Sequence, residues 1–438
     1  MNYRLDVRPW RERSLELSSR FRCGAGALLA LAVVGCASGR APNSGADRTD
    51  PVAQVDPADP VARVRQILAE APLVDGHVDL MIHFANQREK RLLPADSYDI
   101  SGRTAGQVDL PRLRAGQVGA GIFTVGIEDE NDRVAGITAA MDLLHAIAAR
   151  NSANLEVVDG AEGLERAVAA KRIAVLPGLE GGDQIGGSLD VLRAVYDHGV
   201  RAMTLTWEHT NEIGDSNADA PRHDGLSPFG VDVVHEMNRL GMLVDLSHAA
   251  DATAARALAE TRAPVIFSHS GARALCPSPR NLPDDLLRAA AAKDGLVMVS
   301  FVSYYSSAAN CDWYVRGEAR WGELRVLRGA DREAIRRDFA AWDAANPEPR
   351  ATLADVADQV EYVRRIAGID HVGIGADFDG MGEARTLGLE DAATYPALFA
   401  ELARRGWTDA ELRKLAGENF LRVLRAVEAR RGTASAGS

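Results

Sequence analysis

The sequence predicts an α/β protein built as a (β/α)8 barrel, and three observations carry that expectation. Short apolar runs alternate with longer amphipathic stretches from about residue 62 onward, the runs number eight, and ionisable side chains stand at or just past the ends of five of them. Strands buried on both faces read as near-continuous apolar runs. Alternation of strand and helix implies parallel βαβ units, and a count of eight points to a closed barrel over an open sheet.

The runs are Pro72–Val74, Gly119–Ile127, Ile173–Leu179, Ala202–Thr206, Met242–Leu246, Pro264–Phe267, Leu296–Phe301 and His371–Ile374. Helix-like segments between them include Ala135–Arg150, Leu189–His198, Phe229–Leu240, Ala252–Thr261, Pro283–Ala292 and Leu353–Ala367. Gly241 and Gly368 are helix stops. Ser188 and Ser227 are helix starts, the latter followed by Pro228 at the first helical position. The stretch from Ala308 to Pro349 breaks the rhythm and reads as an inserted loop with its own helix near Arg332–Trp342. Trp313, Tyr314 and Trp321 inside it are either a lid or ordinary packing. Leu389–Arg430 reads as helical, and residues 431–438 as a disordered polar tail.

The N-terminus stands apart from the fold. Arg8, Arg11, Arg13, Arg20 and Arg22 precede an apolar run from Gly24 to Val34, too short to span a bilayer and suited to a signal peptide. It ends at Val33-Val34-Gly35-Cys36, a pattern resembling a bacterial lipobox with Cys36 as the lipid anchor; an ordinary cleaved signal is the alternative. The organisation is then signal and lipobox over 1–36, a flexible tether over 37–61, and the barrel over 62–430 with its insertion near 308–349. This places the chain outside the cytoplasm, anchored in a bacterial cell envelope. Of the cysteines beyond the signal, Cys276 and Cys311 are either a disulfide, which export permits, or two buried thiols. A formal net charge of -12 argues against a nucleic-acid partner, which would need a basic face.

The chemistry lies at the strand ends. His77 and Asp79 follow the first run, Glu180 the third, His248 the fifth, His269 the sixth and Asp377 the eighth. Parallel strands all end on one face, so a barrel gathers these six side chains at a single mouth, where barrel enzymes do their chemistry. Any one of them alone reads as structural. Together, three imidazoles and three carboxylates suit zinc or a similar ion. Six donors exceed what one tetrahedral zinc needs, which suggests two zinc ions per chain, ~3.5–4 Å apart and sharing a ligand. A carboxylate can bridge and a neutral imidazole cannot, so Glu180 is the expected bridge. His77 and Asp79 then complete one ion's set, and His248 and His269 the other. The fourth run ends Thr204-Leu205-Thr206-Trp207 with no lysine to serve instead. Two ions would lower the pKa of a bridging water to about 7. Asp377 remains to take its proton and pass it to a leaving amine.

At these residues the sequence resembles the membrane (renal) dipeptidase family of zinc peptidases, from about Pro72 to Ala426. The matching motifs are Asp75-Gly76-His77-Val78-Asp79-Leu80, Glu180-Gly181-Gly182, Gly225-Leu226-Ser227-Pro228-Phe229-Gly230, Ser268-His269-Ser270, Arg280-Asn281-Leu282-Pro283-Asp284-Asp285 and Gly375-Ala376-Asp377-Phe378-Asp379-Gly380. The resemblance implies a barrel of the metal-dependent hydrolase kind and hydrolysis of dipeptides at a two-zinc site, some of them with a D- or dehydro-residue on the C-terminal side. It implies His77, Asp79, Glu180, His248 and His269 as ligands and Asp377 as the proton-handling acid. It also implies Arg280 as the clamp for the substrate carboxylate, a role that suits the two parallel bonds a guanidinium makes. Cys276 and Cys311 fall near positions that are disulfide-linked in animal relatives, and a homodimer is a further family expectation.

Three departures touch the substrate shell. The family reads Leu-Thr-His after the fourth strand, where this chain has Leu205-Thr206-Trp207, and an indole N–H donates one bond but carries no proton. His209 replaces that histidine only if the loop reshapes. Gly-Gly-His becomes Gly181-Gly182-Asp183, and Pro-Trp becomes Met81-Ile82. An altered shell of Trp207 and Asp183 leaves room for a related amide or lactam substrate, and a non-catalytic envelope binding protein is the more distant alternative. Asp379 reads as a helix-entry or supporting residue and Asp75 as support for the metal ligands.

Overall fold

The computed structural model describes residues 60–86, 91–126 and 133–432, and within them eight parallel strands close on themselves. In chain order they are β1 (Leu73–Val78), β2 (Val118–Val125), β3 (Ile173–Leu179), β4 (Ala202–Thr204), β5 (Leu243–Asp245), β6 (Ile266–Ser270), β7 (Leu296–Val299) and β8 (Val372–Ile374). Each pairs with the next, and β8 returns to β1 with Asp75 opposite Ile374. An extra strand, Leu155–Val157, runs parallel beside the start of β3. The fold is the expected (β/α)8 barrel. The readings made on residues 1–59, the signal, Cys36 and most of the tether, lie outside the described residues, as do 433–438 of the tail. Pro60 and Val61, read as tether, already belong to a helix, Pro60–Glu70.

Each apolar run holds a strand, with shifted ends. β1 runs on through Asp75, Gly76, His77 and Val78, and β6 continues through Ser268, His269 and Ser270 although apolarity stops at Phe267. These polar residues stay buried because their groups are bonded: Ser268 N donates to Asp245 Oδ1 and His269 N to Ser247 Oγ. Alternation splits the strand side chains into two cores. Ala120, Ile122, Ala174, Leu176, Leu243, Ile266 and Met298 form one cluster with Phe420 and Val423 of the helix Asn419–Glu428. Phe123, Val175, Val244, Phe267 and Val297 join the larger cluster that includes the surrounding helices. Backbones crowd at the centre: a Cβ on Gly375 would lie 1.7 Å from the Ser268 carbonyl oxygen, so only glycine fits.

Helix boundaries follow the capping chemistry. The hydroxyl of Ser188 accepts from Val191 N, that of Ser227 accepts from Gly230 N, and Gly241 closes its helix at φ 73°. The insertion departs from expectation. In place of a loop with one helix it holds two, Ala308–Arg328 and Arg332–Ala345. The first starts on a Ser307 cap and carries Arg316–Asp312 and Arg320–Glu323 pairs along an exposed face. Its aromatic residues pack against neighbouring rings, Tyr314 stacking on Tyr304 at 4.6 Å between centroids. Trp313 stacks toward Trp342 and donates its indole N–H to Asn346 O at 2.7 Å, and Trp321 meets Phe339 edge-on. Cys276 and Cys311 form a disulfide, Cα to Cα 5.8 Å, that ties this helix to the loop after β6. Among the described residues, no helix is long and apolar enough to cross a membrane.

Candidate active site

All six expected side chains meet at the C-terminal mouth. His77 lies near the end of β1 and Asp79 just beyond it, Glu180 directly follows β3, and His269 sits within β6. His248 and Asp377 each stand three residues past their strands, on turns with φ of 67° and 68°. One oxygen organises the group. Glu180 Oε1 lies 3.5 Å from His77 Nε2, 3.2 Å from His248 Nε2 and 3.5 Å from His269 Nε2. Two triads hold donor atoms within 4.8 Å of one another: His77, Glu180 and His269, and His77, Asp79 and Asp377. Asp377 thus stands against the His77–Asp79 side of the group.

The donor set fits divalent cations. His77 Nε2 and His248 Nδ1 are buried and have no hydrogen-bond partner among the described residues. His248 Nε2 and His269 Nε2 face each other at 2.9 Å, where two lone pairs repel unless a proton or cation lies between them. Ser268 Oγ sits 2.8 Å from His269 Nδ1, which leaves Nε2 free toward the site. Burial pushes the Glu180 carboxyl up to about 8 and that of Asp377 up to about 7. Burial opposes charge on His77 too, but Asp79 and Glu180 together raise it well above the usual imidazole value. Burial, with the Arg280 and His77 charges adding, holds His248 and His269 well below that value, neutral as ligands must be. A group with this many crowded carboxylates is stabilised by added positive charge. Asp79 is held by the Thr124 hydroxyl, and Gly181 N donates to Thr204 Oγ1 at 2.5 Å, fixing the turn that presents Glu180.

Arg280 is buried beside these groups. Its Nη2 donates to His269 O at 3.1 Å, while Nε and Nη1 are buried with no partner among the described residues. Two unsatisfied donors on a fixed guanidinium are a receptor for an anion. Trp207 and Asp183 both flank Gly181: a Cβ built there would lie 3.4 Å from Trp207 Cβ and 2.7 Å from Asp183 Oδ1. The two departures therefore converge beside Glu180. His209 does not replace the missing imidazole. It is 59% exposed and faces Asp219 at 3.9 Å.

Several residues support these groups from behind. Asp379 is gripped by Gln107, whose N–H donates to Asp379 Oδ1 at 2.5 Å and whose Oε1 accepts from Asp379 N at 2.9 Å; His83 Nε2 lies 3.2 Å from Oδ2. Gly380 leaves space that Asp79 and Asp377 fill, since a Cβ there would stand 2.1 Å from Asp79 Oδ2 and 2.3 Å from Asp377 Oδ1. Asp75 reaches the Tyr395 hydroxyl in the outer helix layer. Gly380 was legible only as a motif letter, because its function is an absence of atoms.

Residues 61–437 match the model of the membrane dipeptidase family, peptidase family M19. The dipeptidase aclJ of Aspergillus oryzae is 37% identical over 377 residues, covering 83% of this chain and 80% of that protein. Human dipeptidase 3 is 35% identical over 374 residues, covering 84% and 67%. Among solved structures, the probable dipeptidase PvdM from Pseudomonas aeruginosa is similar with a TM-score of 0.71 at 22% identity, over 86% of this chain and 100% of that one. A metallopeptidase from Rhodobacter sphaeroides, solved with a phosphinate mimic of the dipeptide L-Ala-D-Ala, gives 0.62 at 23% identity, over 81% and 99%. At those identities the structural likeness speaks to the fold alone.

Proposed function

The chain belongs to the membrane dipeptidase family of metallopeptidases, and from that premise we propose that it hydrolyses the peptide bond of dipeptides at a two-zinc site at the barrel mouth. The convergence of three imidazole nitrogens on Glu180 Oε1 carries this reading. His77, Asp79 and Glu180 would hold one ion, and Glu180, His248 and His269 the other. When bound, such ions polarise a scissile carbonyl and acidify water to a pKa of about 7.

The protein's own residues do the remaining work. Arg280, with donors still unpaired among the described residues, takes the substrate's terminal carboxylate, which fixes the bond at the mouth. Asp377, which stands against the His77–Asp79 side of the group, accepts the proton and returns it to the departing amine. Trp207 and Asp183 beside Gly181 bear on which residue pair is accepted, and a related amide or lactam is the second substrate class they allow. The signal and Cys36 support an exported, lipid-anchored enzyme acting on short peptides in the cell envelope.

The test is turnover of a panel of L-Xaa-L-Yaa and L-Xaa-D-Yaa dipeptides by zinc-loaded protein, with C-terminal amides as controls. Free dipeptides should turn over and their amides should not. Absence of dipeptide turnover, or faster turnover of a lactam, contradicts the reading. The panel repeated on Trp207→His measures what the indole contributes.

A further inference from the structure

The strand ends that carry the site share one construction, used twice. Asp75 on β1 stands opposite Ile374 on β8, and Asp245 on β5 stands opposite Ile266 on β6. Asp75 Oδ1 accepts from His77 N, two residues ahead, at 3.2 Å, and from Ala376 N, two residues past its cross-strand partner, at 2.8 Å. Asp245 Oδ1 accepts from Ser247 N and Ser268 N in the same two relative positions, both at 3.0 Å. Both aspartates are buried. The four amides belong to His77 itself and to the residues directly before Asp377, His248 and His269.

We propose that Asp75 and Asp245 are positioning residues, each setting the ligands of one ion. Asp75 would hold the His77–Asp79 unit against the Asp377 turn, and Asp245 the His248 and His269 pair. The physical need is plain. Strands diverge at a barrel mouth and lose their ladder bonds there, yet each buried N–H must find an acceptor. A carboxylate oxygen takes two such bonds, both strengthened by its charge. It thereby fixes two strand ends relative to each other, which main-chain ladder bonds no longer do. Oδ2 of Asp75 is held in turn by the Tyr395 hydroxyl, so the clamp is anchored in the outer helix layer.

This inference rests on the two-ion reading, and the experiment separates the two. Stepwise zinc dissociation constants are measured by chelator competition on the intact chain. Wild-type protein with fewer than two binding steps contradicts the two-ion reading itself, before any variant is made. Given two steps, Asp245→Ala should weaken one by about 10–100-fold, the usual effect of losing such support, and Asp75→Ala the other. Asp245→Ala should cost less in a His248→Ala background than in wild type, because only the His269 end is then left to lose. Asp75→Asn and Asp245→Asn keep an acceptor oxygen and should restore both steps. Should the alanine variants fail to fold, threonine suits a strand and reaches one amide at most, so Asp75→Thr and Asp245→Thr carry the same comparison. Both steps weakening together in either variant overturns the proposal. So does a fall in Tm with both steps unchanged.

Discussion

Asp377, Asp379 and His248 hold φ of 68°, 70° and 67°, a left-handed backbone that side chains other than Asn, Asp and Gly seldom adopt. That fact shapes how the proton-handling role is tested. Asn tolerates this region as Asp does, so Asp377→Asn should keep the turn and the zinc while kcat falls by about 10²–10⁴-fold. Zinc content measured beside kcat checks both halves. Gly380→Ala should behave differently, because its methyl would displace Asp79 as well as Asp377; zinc affinity and kcat should fall together. Arg280→Lys keeps the charge but loses the planar fork, so KM for free dipeptides should rise about 10-fold or more, the loss of one charge-assisted bond, with kcat little changed. The ligands were legible in the sequence because imidazoles and carboxylates at apolar strand ends are chemically conspicuous. Thr124, Thr204 and Asp245 were not, since their work depends on which backbone N–H or carboxylate lies opposite.

At the scale of elements, the disulfide joins the insertion to the loop that carries Arg280. Asn281 donates to Cys276 O at 3.0 Å, and Ser278 N to the same oxygen at 2.7 Å. The bridge closes 35 residues, a loop whose constraint is worth about 3–4 kcal/mol in the chain-entropy account. A Cys276→Ala, Cys311→Ala double variant should therefore lose several degrees of Tm, and its KM should rise more than its kcat falls. Glu236, on the helix Pro228–Leu240, offers a pH test. Bonds from Arg239 and Arg193 outweigh its burial and hold its carboxyl down to about 2. Its folded value lies below its unfolded one, so its contribution is full above about pH 4.3 and fades as pH falls toward 2. Thermal melts of Glu236→Gln should trail wild type at pH 7 and converge with it near pH 2. The first insertion helix, Ala308–Arg328, escaped the sequence reading because its exposed face is charged and its contacts aromatic, which hides the apolar period.

Across the whole molecule, the barrel was legible because every strand is buried on both faces, so apolarity marked each one. Strand ends were less so, since Ser268, His269 and Ser270 stay in the sheet through bonds that composition does not reveal. The buried acidic group at the mouth carries a cost that bound cations relieve, and a ligand that binds only the folded state raises Tm. Chelation should therefore lower Tm, and zinc should restore it. The most direct test of the two-ion dipeptidase is one titration: dipeptide hydrolysis by metal-free protein as zinc is added. Activity should climb until two equivalents per chain and then level. A plateau at one equivalent, or no hydrolysis at any ratio, would contradict the account.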